Sequence, residues 1–229
     1  VPEVCGRYTL AYEDFQFMLD YYGITDGGGF SYPPRYNIAP GQNVPAVVHD
    51  GQRRRIGLLR WGLVPSWAKD DKIGYKMINA RAETLMAKST FKPLLARKRC
   101  LIPADGFFEW KKLPDGRKQA MRIILKSQKL FSLAGLYDTW RTPSGDRLST
   151  CTIITVGANS LMEPIHNRMP AILRRDEEDM WIDKGVVNPE SLMPLLRSFD
   201  AADMEAYPVP ALVGSANNDS PECIQRQLS

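Results

Sequence analysis

Short apolar runs broken by turn signals recur along this chain, and that rhythm restricts it to folds dominated by sheet. Val44–His49 and Ile56–Trp61 flank Asp50-Gly51, and Gly106–Lys111 and Met121–Leu125 flank Pro114-Asp115-Gly116. Leu130–Tyr137 and Cys151–Val156 flank Pro143-Ser144-Gly145. Such Gly-containing turns supply the backbone conformations that hairpins require. Gly6–Leu10 reads as a further strand and Tyr207–Leu212 as a late one. Helical spacing is confined to a few segments. Phe15, Met18, Leu19 and Tyr22 fall at i, i+3, i+4 and i+7 within Tyr12–Tyr22, and Asp176–Asp183 and Pro189–Phe199 also read as helices. Closely spaced strands with few helices predict an α+β fold, mainly antiparallel. No internal repeat or low-complexity linker divides the 229 residues.

A hydrophobic content of 44% argues against a disordered chain. No apolar run approaches the roughly 18 residues of a membrane span, and Val1–Val4 lacks the basic and apolar regions of a signal peptide. The expectation is a soluble, cytoplasmic protein, nucleoid-associated if bacterial, with no membrane contact. Cys5, Cys100, Cys151 and Cys223 are far apart, and only two histidines, His49 and His166, are present, so no metal cluster is expected. Cys100 and Cys151 lie in strand-like runs and read as small core residues. No metal or organic cofactor is expected.

Charge is uneven. The net value is +4, yet residues 52–99 hold 13 Lys/Arg and 3 Asp/Glu. That footprint suits a polyanion, and equally a solvated basic face. Trp61, Trp67, Tyr75 and Phe91 interleave with these cations. Single-stranded nucleic acid is held by such a pairing of stacking rings and phosphate-binding cations, each stacked base contributing roughly 1–3 kcal/mol. Trp61 is expected in the core, whereas Trp67, after Pro65-Ser66, reads as an exposed loop residue.

Three segments place reactive groups in structured surroundings. Asp105-Gly106-Phe107-Phe108-Glu109-Trp110 sets a carboxylate in an aromatic strand. Burial there would raise its pKa towards a proton donor's range; simple alternation would put Phe108 and Trp110 on one side and Phe107 and Glu109 on a wet one. Pro164-Ile165-His166-Asn167-Arg168-Met169-Pro170 holds a histidine in a loop between prolines, as either a catalytic or a structural group. Asn79 and Arg81, in Ile78-Asn79-Ala80-Arg81-Ala82-Glu83-Thr84, suit ligand binding, with helix capping the alternative for Asn79. Asn37, in Tyr36-Asn37-Ile38-Ala39-Pro40-Gly41, suits either backbone or ligand.

These segments occur in one order together with Cys5-Gly6-Arg7-Tyr8 and Trp61-Gly62-Leu63-Val64-Pro65. The ordered set, from Cys5 to about Val213, resembles the SRAP family, the SOS-response-associated peptidases or abasic-site processing proteins. The resemblance implies a mixed fold around a β-barrel-like sheet, with peripheral helices and a basic groove for single-stranded DNA. It implies that Cys5, Asn79, Glu109 and His166 are catalytic. It places Arg7, Asn37, Pro40, Trp67, Arg81, Phe91, Lys92 and Arg168 near DNA. The partner it implies is single-stranded DNA containing abasic sites, bound by a monomer.

The implied activity is covalent capture of an abasic site, as a thiazolidine, by an N-terminal cysteine, protecting the lesion. A terminal cysteine offers an amine, with an unperturbed pKa of about 7.7–8.0, beside a thiol. The amine condenses with the open sugar's aldehyde and the thiol closes a five-membered ring. Here Val1–Val4 precede Cys5, so the chain as written has no free amine at that residue. Residues 1–4 therefore read as a cloning scar or a cleaved leader, the scar being preferred, and 5–229 as one SRAP-like domain. The alternatives are a cysteine-type autopeptidase that removes the residues before Cys5, and a non-catalytic single-stranded nucleic-acid binding module.

Overall fold

The structure, a computed structural model, describes residues 5–227; the expectation for residues 1–4 lies outside the described residues. Strands come in chain order as β1 (Arg7–Leu10), β2 (Arg35–Ile38), β3 (Asn43–His49), β4 (Arg54–Trp61), β5 (Asn79–Arg81), β6 (Arg99–Ala104) and β7 (Gly106–Lys112). They continue as β8 (Lys118–Leu125), β9 (Phe131–Arg141), β10 (Arg147–Gly157), β11 (Arg168–Pro170), β12 (Ile172–Leu173) and β13 (Met204–Pro208). The helices are α1 (Phe15–Tyr21), α2 (Lys92–Arg97) and α3 (Glu178–Ile182), with short 3-10 segments between elements. The α+β, mainly antiparallel class expected from the turn rhythm is what the chain adopts.

Five strands close on themselves. β3 pairs with β4 and β6, β6 with β9, β9 with β10, and β10 returns to β4. Closure leaves these strands no open edge within the ring. The β3–β4 hairpin keeps one register from Asn43↔Arg60 to His49↔Arg54 around the Asp50-Gly51 turn, where Gly51 has φ +109°. The β4–β10 pairing is parallel, and β5 is added parallel to β10 with Asn79 opposite Ile153. Val47, Cys100, Leu101, Leu133, Leu136 and Cys151 are fully buried in the wall of this barrel. None of the four cysteines is in a disulfide.

β13, β8, β7, β1 and β2 form, in that order, a separate antiparallel sheet. Its two faces bury different cores. Tyr8, Phe107, Ile123 and Leu125 join the main core, while Phe108, Ala120 and Tyr207 on the reverse face pack with Val209, Val213 and Cys223. A C-terminal strap, residues 209–227, covers that reverse face. The carboxylate of Asp219 accepts the N–H groups of Tyr36 (2.6 Å) and Asn37 (3.0 Å), so the strap caps the open edge of β2.

The Asn37 side chain completes the join. It is fully buried, and its Nδ2 donates to the carbonyls of Val213 (3.1 Å), Ser215 (2.9 Å) and Asn218 (2.7 Å). Replacing Asn37 with alanine leaves these acceptors without that donor and should cost about 1–3 kcal/mol. A shift of the urea midpoint at unchanged m-value is the expected reading; a loss below about 0.5 kcal/mol would show that the strap is held by other contacts.

Three expected elements are displaced. The first helix spans Phe15–Tyr21 rather than Tyr12–Tyr22, because Asp14 caps it by accepting the Phe17 N–H at 2.9 Å. Residues 189–195 form a 3-10 segment rather than an α-helix over Pro189–Phe199, with Pro194 inside it contributing no amide. The late strand runs over Met204–Pro208 rather than Tyr207–Leu212, and the chain turns into the strap through Pro210 and the 3-10 segment at Ala211–Gly214. Among the described residues, no helix is long and apolar enough to cross a membrane.

Candidate functional site

Cys5 lies just before β1, whose neighbour is β7. The β7 alternation sends Phe108 towards the strap and Phe107 and Glu109 to the opposite face. That face is dry at Glu109, which is 4% exposed, and this corrects the reading of a wet side. The Cys5 backbone N–H donates to Glu109 Oε1 at 2.5 Å. Burial pushes the Glu109 carboxyl above its usual range, opposed by the hydrogen bonds from Cys5 and the charge of His166. Burial also pushes the Cys5 thiol well up, and the Glu109 charge adds to this, while the Arg168 guanidinium works against it.

Asn79 and His166 approach from other elements. Asn79 opens β5, and its Nδ2 reaches the Cys5 carbonyl at 3.4 Å. It acts within a strand, and the cap position of the 3-10 turn that follows belongs to Arg81. Gly62 makes this placement possible. Its φ is +128°, and a Cβ there would stand 2.8 Å from the Gly74 carbonyl oxygen, so two glycine backbones pack directly and bring 73–78 against the end of β4. His166 is half-buried at the end of the loop before β11. Its Nδ1 faces the Arg168 backbone and accepts that residue's N–H at 3.1 Å. Cys5, Asn79 and Glu109 thus meet from three strand regions, with the His166 charge felt at Glu109.

A cleft of about 320 Å³ opens beside Asn79, lined by Trp67, Lys76, Arg81, Lys88 and Phe91 among others. Trp67 is 63% exposed, and its loop is pinned where the Ser66 N–H donates to Asp138 at 2.8 Å. Trp61 is core, as expected, with Nε1 donating to the Ile78 carbonyl at 2.8 Å. Phe91 is buried and contributes a wall, with the Lys88 ammonium 5.8 Å from its ring centroid. Arg81 and Lys92 are exposed, Lys92 on α2 outside the cleft lining, and Pro40 is half-buried. Arg7 and Asn37 both meet the strap: Arg7 Nη1 donates to Asn37 Oδ1 (3.0 Å) and the Val213 carbonyl (2.6 Å), and its Nη2 to the Gly214 carbonyl (3.1 Å).

Two residues escaped the sequence reading. Lys88 lines the cleft, and its signal is a lysine three positions ahead of Phe91. Glu83 forms a fork with Arg168, Nη1 to Oε1 at 2.7 Å and Nη2 to Oε2 at 2.9 Å. No local pattern pairs residues 85 positions apart. Among the described residues, no group of three or more His, Cys, Asp or Glu side chains is placed to hold a metal ion.

The site thus sets a buried carboxyl on the nitrogen of a cysteine, with a cationic and aromatic cleft beside Asn79, on a barrel scaffold. The chain belongs to the SOS response associated peptidase (SRAP) family, whose model matches residues 4–216. It is 52% identical to the abasic site processing protein YoqW of Bacillus subtilis over 97% of this chain and 99% of that protein. It is 36% identical to the abasic site processing protein HMCES of Gallus gallus over 84% of this chain and 66% of that one. A crystal structure of a Bacteroides thetaiotaomicron protein, 28% identical, superposes with a TM-score of 0.86 over 98% of this chain and 100% of that one.

Proposed function

We propose that this protein processes abasic sites in single-stranded DNA by covalent capture, once Cys5 is the first residue. The observation that carries the reading is the 2.5 Å contact between the Cys5 nitrogen and the buried Glu109 carboxyl, joined to the cationic cleft through Asn79. With a free terminus that nitrogen is an amine. Glu109 takes a proton from it and returns one to the hydroxyl that leaves as water after attack on the aldehyde. The thiol then adds to the imine carbon, its proton passing to the nitrogen, and a thiazolidine results. Burial holds the thiol neutral until that step. Asn79 orients Cys5 through its carbonyl, and His166 donates a proton to the sugar ring oxygen as it opens, the anomeric hydroxyl releasing its own proton to water as the aldehyde forms. Trp67 stacks a base, and Lys76, Arg81 and Lys88 meet phosphates. A chain beginning at Cys5, incubated with an abasic and an intact oligonucleotide, should give a heat-stable adduct with the abasic strand alone. Adduct on both strands or on neither refutes the reading; salt-sensitive retardation without adduct would leave a binding module.

One observation favours a second activity. In the chain as written the nitrogen beside Glu109 is the leaving nitrogen of the peptide bond before Cys5. The Cys5 thiol adds to the carbonyl of that bond, Glu109 protonates the nitrogen as it leaves, and water hydrolyses the resulting thioester to free the thiol and the amine of Cys5. Intact-mass measurement over time should then show conversion to a chain beginning at Cys5, abolished by Glu109→Gln; an unchanging mass in the wild type removes this activity.

A further inference from the structure

Arg168 has two sides. Towards the protein, Nη2 donates to the carbonyl and hydroxyl oxygens of Thr155 at 2.7 and 3.3 Å. Towards solvent, the guanidinium is closed by the Glu83 fork, and the Glu83 side chain is 56% exposed against 13% for Arg168. The carboxylate therefore stands between the guanidinium and the water from which a ligand would come. Two carboxylate oxygens on a guanidinium fork have the geometry of the two non-bridging oxygens of a phosphodiester. Glu83 is also one of only three acidic residues in the basic segment 52–99. The other two have separate work: Asp71 pairs with Arg60 at 3.0 Å, and Asp70 caps a turn by accepting the Lys72 N–H at 2.9 Å.

We propose that Glu83 is a built-in substitute for a backbone phosphate, occupying Arg168 in the free protein and exchanged for a phosphate when a strand enters. This rests on the nucleic-acid reading above and adds a specificity determinant to it. The pair opens to solvent on its Glu83 side, where a phosphate can compete for the guanidinium, and the displacement offsets part of what that phosphate gains. An intact strand has only non-covalent contacts to set against that cost and leaves readily. An abasic strand is retained by the bond at Cys5 once it forms. Thr155, which holds Arg168, stands opposite Arg81 in the β5–β10 pairing, so the exchange takes place beside the Arg81 wall of the cleft.

The test uses the full chain, in which Cys5 is amide-linked, so that binding of oligothymidine is read without adduct formation. Fluorescence anisotropy across a salt series should show E83Q binding about five-fold more tightly at 0.1 M salt, with the slope of log K against log salt steeper by about 0.7, because no released carboxylate takes up the counterion that the phosphate gives off. Glu83→Ala should shift both readings in the same direction. In an Arg168→Gln background, E83Q should bring no gain, because the effect runs through Arg168. The inference is overturned by unchanged affinity and slope, by an equal gain in the Arg168→Gln background, which would mark a general charge effect, or by weaker binding. Failure of the wild-type chain to bind at any salt would instead remove the nucleic-acid reading, and this inference with it.

Discussion

Changing Glu109 to glutamine in a chain that begins at Cys5 is expected to slow adduct formation with an abasic strand by about 10²–10⁴-fold, the range of a positioned general acid–base group. Retention of an intact strand should stay within about twofold, since Glu109 is 4% exposed and is not among the residues lining the cleft. Glutamine keeps an oxygen that can accept from the Cys5 nitrogen but can neither take nor return a proton. A single-turnover time course on a denaturing gel reads the rate, and a loss of less than about threefold would assign the proton transfers elsewhere. The same substitution has a stability signature in the full chain. Burial raises the Glu109 pKa in the folded state, so above the unfolded carboxyl's value of about 4.3 the folded chain binds more protons than the unfolded one, and stability falls as pH rises towards the folded value. The glutamine variant lacks that proton. Between pH 4 and neutrality its urea midpoint should therefore fall less than that of the wild type, and parallel pH profiles would show that the carboxyl is ionised at no cost.

The local pattern made the hairpins legible and left the site's setting hidden. Asp50-Gly51 and Pro114-Asp115-Gly116 mark their turns unaided, and β3–β4 and β7–β8 follow from them. Closure of the barrel does not follow, because its last seam is a parallel pairing of β4 with β10, strands separated by most of the intervening sheet. The alternation through Phe107, Phe108 and Glu109 gave the two faces correctly, but what keeps Glu109 dry includes Cys5, 104 positions away. Asn37 shows the same limit: its motif allowed backbone or ligand, and the deciding carbonyls lie 176 to 181 positions away. The family resemblance nominated Cys5, Asn79, Glu109 and His166 together, which periodicity and composition had no means of doing. Glu83 lies inside the Ile78–Thr84 motif, yet a carboxylate in a basic segment has no signature until its cation is located.

Arg99 shows how far a charge count can mislead, and it carries the largest expected loss of stability. It contributes to the basic segment, yet it is 2% exposed and faces no strand of nucleic acid. Its five guanidinium hydrogens are spent on main-chain oxygens. Nε donates to the Trp181 carbonyl, Nη1 to Leu95 and Ala96 at 2.7 Å each, and Nη2 to Asp183 and to Val186 at 3.1 Å. Leu95 and Ala96 lie in the last turn of α2, and Trp181 and Asp183 lie at the end of α3. Helix ends leave carbonyls without intrahelical donors, and this one side chain serves two such ends while starting β6 of the barrel. Replacement by methionine fills much of the volume but strands these acceptors in a buried site. The expected cost is about 3–5 kcal/mol, from several acceptors each losing up to about 1–3 kcal/mol with partial rescue by entering water. Lysine restores the charge with three donors in place of five and should recover part of that loss. Urea unfolding of the three proteins at neutral pH should order them Arg, Lys, Met. A methionine variant within about 1 kcal/mol of the wild type would mean that the two helix ends satisfy their carbonyls without Arg99. The folded fraction of the methionine variant should still capture an abasic strand at the wild-type rate once it begins at Cys5, because Arg99 touches none of Cys5, Asn79, Glu109 or His166.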